Sequence, residues 1–135
     1  MLFGQEHVER YIETDGAEGH EWQPGVFTLL LTTTGRRSGE PYTTPLIYVR
    51  DGDDYIIVAS KGGADEHPDW YRNLDANPEV TIRVGADVLS GVAATVDADR
   101  RARVWPRLTE VWPDYDDYVA STHREIPVVA IMPRG

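Results

Sequence analysis

VFTLLLTTTGRRSGEPYTTPLIYVRDGDDYIIVAS, residues 26–60, is the stretch on which the fold turns. Residues 26–33 form an apolar run followed by β-branched threonines and stopped by Gly35, the pattern of a buried strand. Residues 42–50 read as a second strand. The turn signal Asp51-Gly52-Asp53 then leads into a third, residues 55–59, so the second and third strands form a hairpin.

Downstream, residues 80–84 and 88–96 make another hairpin across Gly85-Ala86, and residues 126–132 read as a closing strand. Short helices fit between these hairpins. Pro68 suits a first helical turn, and residues 69–76 can be a helix closed by Asn77-Pro78. Asp97 is placed as an N-cap for a helix through Arg100 and Trp105, which Pro106 must kink or restart. A last helical turn spans residues 114–120. Upstream, residues 1–25 are polar and rich in glycine and acid, with one short helix at residues 5–13. They read as an N-terminal extension to a domain at residues 26–135. Hairpins rather than strand-helix-strand alternation point to a mainly β, α+β architecture: a small barrel with short peripheral helices.

The 135 residues suffice for one core without staples. With no cysteine, disulfides, thiol nucleophiles and thiolate metal sites are excluded, and a reducing, cytoplasmic setting is expected. A formal net charge of -10 argues against nucleic acid and anionic membranes as partners. No signal peptide is read at Met1-Leu2-Phe3, and the longest apolar stretch is far shorter than a membrane span. His7, His20, His67 and His123 show no metal-ligand spacing, and GxSxG and P-loop patterns are absent.

Four clusters can carry chemistry. In Gly35-Arg36-Arg37-Ser38-Gly39, two glycines permit a nest of backbone N–H groups, and two guanidinium groups and a hydroxyl match phosphate or carboxylate. The same residues also fit a solvated hairpin turn. Ser60-Lys61-Gly62-Gly63 follows a strand and holds the only lysine among 13 basic residues. Three cations at converging strand ends would form an anion site in an otherwise acidic chain. On the helix at residues 69–76, Trp70, Asn73 and Leu74 share one face. Trp70 and Leu74 suit a core, whereas Asn73 suits a ligand hydrogen bond. Finally, Tyr115 and Tyr118 lie three apart with Trp112 nearby, a wall over a flat ring, with a phenol able to donate to a substrate oxygen.

Taken in order, LLTTTGRRSGEPYTTPLIYV, VASKGGADEHPDWYRNLDANPEV, WPDYDDY and the IPVV strand resemble the deazaflavin-dependent nitroreductase and quinone reductase family, over most of the chain. The resemblance implies a split β-barrel of the FMN-binding, flavin-reductase type, and coenzyme F420 as cofactor. It implies that Arg36, Arg37, Ser38 and Lys61 hold the phosphate and anionic tail. It further implies that Tyr42, Thr43, Thr44, Pro45, Leu46 and Ile47 run along the cofactor and that Val58, Ala59 and Ser60 back its ring. Asp69, Trp70, Tyr71, Arg72 and Asn73 complete the pocket. Trp112, Tyr115 and Tyr118 close the substrate side. Tyr42 stands where arginine is common in the family, which removes one cation from the tail site.

The implied activity is hydride transfer from reduced F420 to a small acceptor such as a quinone, enone or nitro compound, with Ser60 and Tyr115 as catalytic donors to the acceptor's oxygen. Two other readings stand beside it: an FMN-dependent oxidoreductase on the same barrel, and a non-catalytic carrier of a cofactor or lipid-like ligand. Related barrels often dimerise, so a homodimer is allowed.

Overall fold

Three apolar runs, residues 29–31, 56–58 and 128–131, lack the alternation of a strand with one wet face. In the computed structural model, which describes residues 2–134, each run lies in a strand covered on both sides. Successive side chains of a strand point to opposite faces. Leu29, Leu31, Ile57, Val129 and Ile131 therefore enter one buried cluster, with Ile82, Trp70 and Leu74. Ile56, Val58, Val128 and Ala130 enter a second, against Val104, Leu108 and Tyr115. Leu30 packs with Val8 and Tyr11 in a third.

The elements run α1 (Gly4–Glu13), β1 (Glu21–Gln23), β2 (Val26–Thr34), β3 (Pro41–Ile47), β4 (Val49–Asp51) and β5 (Asp54–Val58). A single 3-10 turn (Lys61–Gly63) precedes α2 (Asp69–Ala76), β6 (Glu79–Val84) and β7 (Asp87–Thr95). Then come α3 (Ala98–Val111), α4 (Asp114–Ser121) and β8 (Val128–Pro133). Every strand pairing is antiparallel, along the path β2-β6-β7-β8-β5-β4, with β1 and β3 both paired to β2. The sheet thus ends in β3 on one flank and β4 on the other. Those two strands are adjacent in sequence, and this contiguity curls the sheet into the expected split barrel.

The single strand expected at residues 42–50 is interrupted at Tyr48. Residues on one side of it must pair with β2 (Thr28 opposite Ile47, Thr34 opposite Pro41), and those on the other with β5 (Val49 opposite Ile56). One straight strand cannot serve both flanks. Tyr48 makes the corner: its N–H donates to the Phe27 carbonyl (3.1 Å), and its hydroxyl lies 2.8 Å from His20 Nε2. Its ring meets Tyr55 at 5.4 Å. Burial, reinforced by Tyr11 and Tyr55, pushes the Tyr48 phenol up to about 12.

Two further elements differ from expectation. β1 is too short to leave a hydrophobic period. α3 runs unbroken through Pro106 instead of restarting there. Proline costs a helix one hydrogen bond, but Val104 and Leu108 are fully buried on either side of it, so packing holds both halves. Asp97 is the N-cap expected, accepting from Arg100 N (2.8 Å).

The described residues of the amino-terminal segment, 2–25, pack on the barrel through α1. Tyr11 is fully buried, and its hydroxyl donates to the Thr28 carbonyl (3.0 Å) and accepts from Gly85 N (2.7 Å). Beyond the helix, a Cβ on Gly16 would lie 2.6 Å from Gly85 Cα, so glycine is required for this approach. Tyr11→Phe keeps the ring and strands the Gly85 N–H. We expect it to lower the unfolding free energy in urea by about 1–3 kcal/mol; an unchanged midpoint would mean that α1 is held by apolar contact alone.

Candidate active site

The turn at residues 35–39 closes on itself. Gly35 N donates to the Glu40 carbonyl (2.8 Å) and Gly39 N to that of Gly35 (2.9 Å). A Cβ on Gly35 would come within 2.6 Å of both Ser38 Oγ and Tyr42 Cε2, so no side chain fits there. Asn73 of α2, buried on the face shared with Trp70 and Leu74, reaches up to the turn. Its Oδ1 accepts from Arg36 N (3.2 Å) and Arg36 Nη1 (2.9 Å), while its Nδ2 donates to Thr33 Oγ1 (3.3 Å). Asn73, expected to hydrogen-bond a ligand, fixes Arg36 and also borders the hollow beside the turn.

Arg36 also approaches Asp69 at 3.5 Å. Arg37 makes no hydrogen bond or ion pair with a described residue, so its charge is available to a ligand. Ser38 Oγ accepts from Glu40 N (3.1 Å) and lies 3.2 Å from the Tyr42 hydroxyl. These residues border a hollow of about 660 Å³ with Gln5, Thr43, Thr44, Asp69 and Trp70.

The wall of this hollow continues along β3. β3 pairs only with β2, and Pro41 and Pro45 leave its free edge short of donors, which discourages further strand pairing. No residue of β3 is buried, although Pro45, Leu46 and Ile47 are apolar. Those three border a second hollow of about 260 Å³, with Val58 and Ser60. α1 borders both hollows too, Gln5 in the first and His7 in the second, so the two adjoin. One is polar and cationic; the other is mainly apolar.

Trp112, Tyr115 and Tyr118 line the apolar hollow. Trp112 Nε1 donates to the Tyr118 hydroxyl (3.3 Å), and the Trp112 ring lies 5.6 Å from that of Trp22. Tyr115 is 5% exposed. Burial, then the neighbouring Tyr118, pushes its phenol well above the ordinary tyrosine value, so it stays protonated through the neutral range. Neither the Tyr115 nor the Ser60 hydroxyl makes a hydrogen bond with a described residue. Both residues line the apolar hollow.

Four expected site residues are not brought to either hollow. The chain leaves β5 at Val58 and turns at Ser60, so Lys61 sits on the 3-10 turn beside α4, 3.9 Å from Glu66 and apart from Arg36 and Arg37. Ala59 is fully buried in the barrel cluster. Helical rotation carries Tyr71 and Arg72 off the face that holds Asp69, Trp70 and Asn73. Tyr71 instead packs against His67 (4.9 Å, the rings tilted) and hydrogen-bonds Thr95 (2.9 Å), and Arg72 is exposed.

Arg124 is a residue that no local motif announces. From just before β8 its guanidinium donates to the carbonyls of Ala64 (2.8 Å), Ala59 (3.2 Å) and Ser60 (2.9 Å), and lies 3.1 Å from His67 Nδ1. It thereby sets the loop that carries Ser60. For this contact His67 must be neutral, with Nδ1 accepting. Desolvation first, then Arg124 and Arg72, hold its imidazole below the usual value. A depressed histidine value means that the unfolded chain binds the proton first. Stability from this group is therefore present above the unfolded value, about 6.5, and is lost as pH falls below it. We expect the melting temperature to drop between pH 7.5 and 5.5, and His67→Gln to flatten that drop; equal slopes would exclude His67 as its source. Arg124→Met should cost about 2–3 kcal/mol in urea unfolding, from lost charge-assisted hydrogen bonds.

Comparison with known proteins places the chain in a family. The F420H(2)-dependent quinone reductase family profile matches residues 3–133. An F420H(2)-dependent quinone reductase of Mycobacterium tuberculosis is 44% identical over 132 residues, covering 95% of this chain and 88% of the relative. A solved F420-H2 dependent reductase superposes with a TM-score of 0.71 at 39% identity, over 77% of this chain and 92% of that one. Another structure, described as a domain-swapped dimer, superposes at 0.74 with 37% identity, over 94% and 95%. The chain belongs to the F420H(2)-dependent quinone reductase family, a family of oxidoreductases whose cofactor is coenzyme F420. Among the described residues no helix is long and apolar enough to cross a membrane.

Proposed function

We propose that this chain reduces a quinone-class acceptor with reduced F420, binding the cofactor's anionic tail at Arg36 and Arg37 and its ring beside Pro45, Leu46 and Ile47. The observation that carries this reading is the pairing of a cationic hollow with an apolar one along a single edge strand. A cofactor with a flat ring at one end and phosphate and carboxylates at the other needs that pairing. The donor set fits: Arg37 is unpaired among the described residues, and Arg36 is held in place by Asn73. Tyr42 presents a hydroxyl, not a charge, at the mouth.

Bound reduced F420 supplies a hydride from the ring carbon that replaces a flavin's reactive nitrogen. The chain's own residues then have three tasks. Trp112 and Trp22 shield the apolar hollow from water. Ser60 and Tyr115 donate hydrogen bonds to the acceptor oxygen on which negative charge develops. Because burial keeps the Tyr115 phenol neutral, it serves as a fixed donor and net protonation comes from solvent. The related structure described as a domain-swapped dimer supports a homodimer, which sedimentation would test against a monomer of 15.2 kDa.

Fluorescence titration with F420 and with FMN separates the cofactors, and oxidation of reduced F420 by menadione tests turnover. We expect F420 to bind, and Arg37→Ala to weaken it about tenfold, equivalent to about 1.4 kcal/mol. Tyr115→Phe should lower kcat by about tenfold or more, with F420 affinity unchanged. Tight FMN binding without F420 binding would favour the flavin enzyme. F420 binding without oxidation by a broad acceptor panel would favour the carrier.

A further inference from the structure

His7 is 3% exposed, lies on α1 and borders the apolar hollow, yet none of the roles above uses it. Its tautomer is fixed by its neighbours. Nε2 lies 3.0 Å from the Gly19 carbonyl oxygen, which can only accept, so Nε2 carries the proton. Thr28 Oγ1, 3.2 Å from the same nitrogen, gives its own proton to the Gly19 oxygen (2.6 Å) and completes the arrangement. The Cδ2–Nε2 edge is packed against Gly19, where an added Cβ would come within 3.0 Å of both atoms. The ring is held in plane by Trp22, stacked at 6.3 Å and 20°. Nδ1, on the other side of the ring, has no partner among the described residues. With the proton on Nε2, the lone pair of the neutral ring lies at Nδ1.

The Ser60 and Tyr115 hydroxyls can donate as well as accept. The Thr28 oxygen, its proton given to Gly19, faces His7 Nε2 at 3.2 Å, so Nδ1 is set apart as an atom that in the neutral ring can only accept. An acceptor atom on α1 is idle towards an oxidised quinone, whose carbonyl oxygens also only accept. Reduction turns each carbonyl into a hydroxyl, which donates. We infer that His7 is a specificity-determining residue of the acceptor site, its Nδ1 accepting the O–H of a hydroquinone whose other oxygen is held by Ser60 and Tyr115. This favours acceptors with two conjugated carbonyl oxygens over enones and nitro compounds, because a contact made only as the acceptor is reduced stabilises the later states selectively. The inference rests on the reading of this hollow as the acceptor site.

Two substitutions separate the nitrogens. His7→Gln can place an amide N–H near the position of Nε2, keeping the bond to Gly19 while removing Nδ1. His7→Asn can place a polar atom near Nδ1 while removing the bond to Gly19. The measurement is anaerobic calorimetric titration of the cofactor-free protein with 2-methyl-1,4-naphthalenediol and with its dimethyl ether, which accepts hydrogen bonds but cannot donate. We expect the wild type to prefer the diol about tenfold. His7→Gln should reduce that preference to within about threefold without lowering the melting temperature, whereas His7→Asn should lower the melting temperature and keep the preference. Equal binding of diol and ether by the wild type, binding of neither, or an unchanged preference in His7→Gln overturns the assignment. Failure of the F420 reading would show itself differently, as diol binding with no oxidation of reduced F420 by menadione.

Discussion

The barrel depends on one constraint: the segment at residues 41–51 must hydrogen-bond to both flanks of the same sheet. β3 does so on β2 and β4 on β5, and Tyr48 is the only residue between them. Its backbone N–H ties the corner to Phe27, its hydroxyl to His20 and its ring to Tyr55. β2, the amino-terminal segment and β5 thus meet at one residue. The corner also leaves β3 with a free, proline-bearing edge, and that edge borders both hollows of the candidate site.

Two polar clamps convert this scaffold into a site. Asn73 carries the position of α2 up to the Arg36 turn, and Arg124 carries that of the segment before β8 into the Ser60 loop. Each is half-buried or buried and spends its hydrogen bonds within the protein, Asn73 on Arg36 and Thr33, Arg124 on three carbonyls and His67. A buried amide or guanidinium left without partners is costly, so each clamp has a single favourable arrangement. The groups they position, Arg37 and the Ser60 hydroxyl, are by contrast without partners among the described residues. Rigid support beneath unsatisfied functional groups is what a preorganised site requires.

Charge is distributed on the same principle. The chain is strongly acidic, yet the Arg36 turn keeps its cations because Asp69 touches only one of them. Elsewhere arginines are consumed structurally. Arg100 bridges Asp51 (2.9 Å) and Asp54 (2.8 Å), and Arg103 joins Asp51 (2.8 Å), binding α3 to the turn between β4 and β5. Arg103, then Arg100, hold the Asp51 carboxyl below the ordinary carboxylate range. Most of the basic residues are therefore unrelated to ligand, which residue counts alone do not disclose.

The sequence by itself determined the strands buried on both faces, the glycine-bounded arginine turn, the Asp97 cap and the ordered motifs that mark the family. These depend on local patterns: a period of two, a steric need for glycine, a side chain reaching three residues along its own chain. Tertiary structure decided the rest. The break at Tyr48 arises because two distant strands claim one segment. Lys61 is diverted to Glu66 by a turn whose direction is fixed by packing on α4. Tyr71 is turned to Thr95 by the rotation of α2. Arg124 and His7 reach the site from 64 and 53 residues away from Ser60 along the chain, and no local spacing encodes such contacts. Local sequence specifies which residue types can do chemistry; only the closure of the barrel brings them to one place.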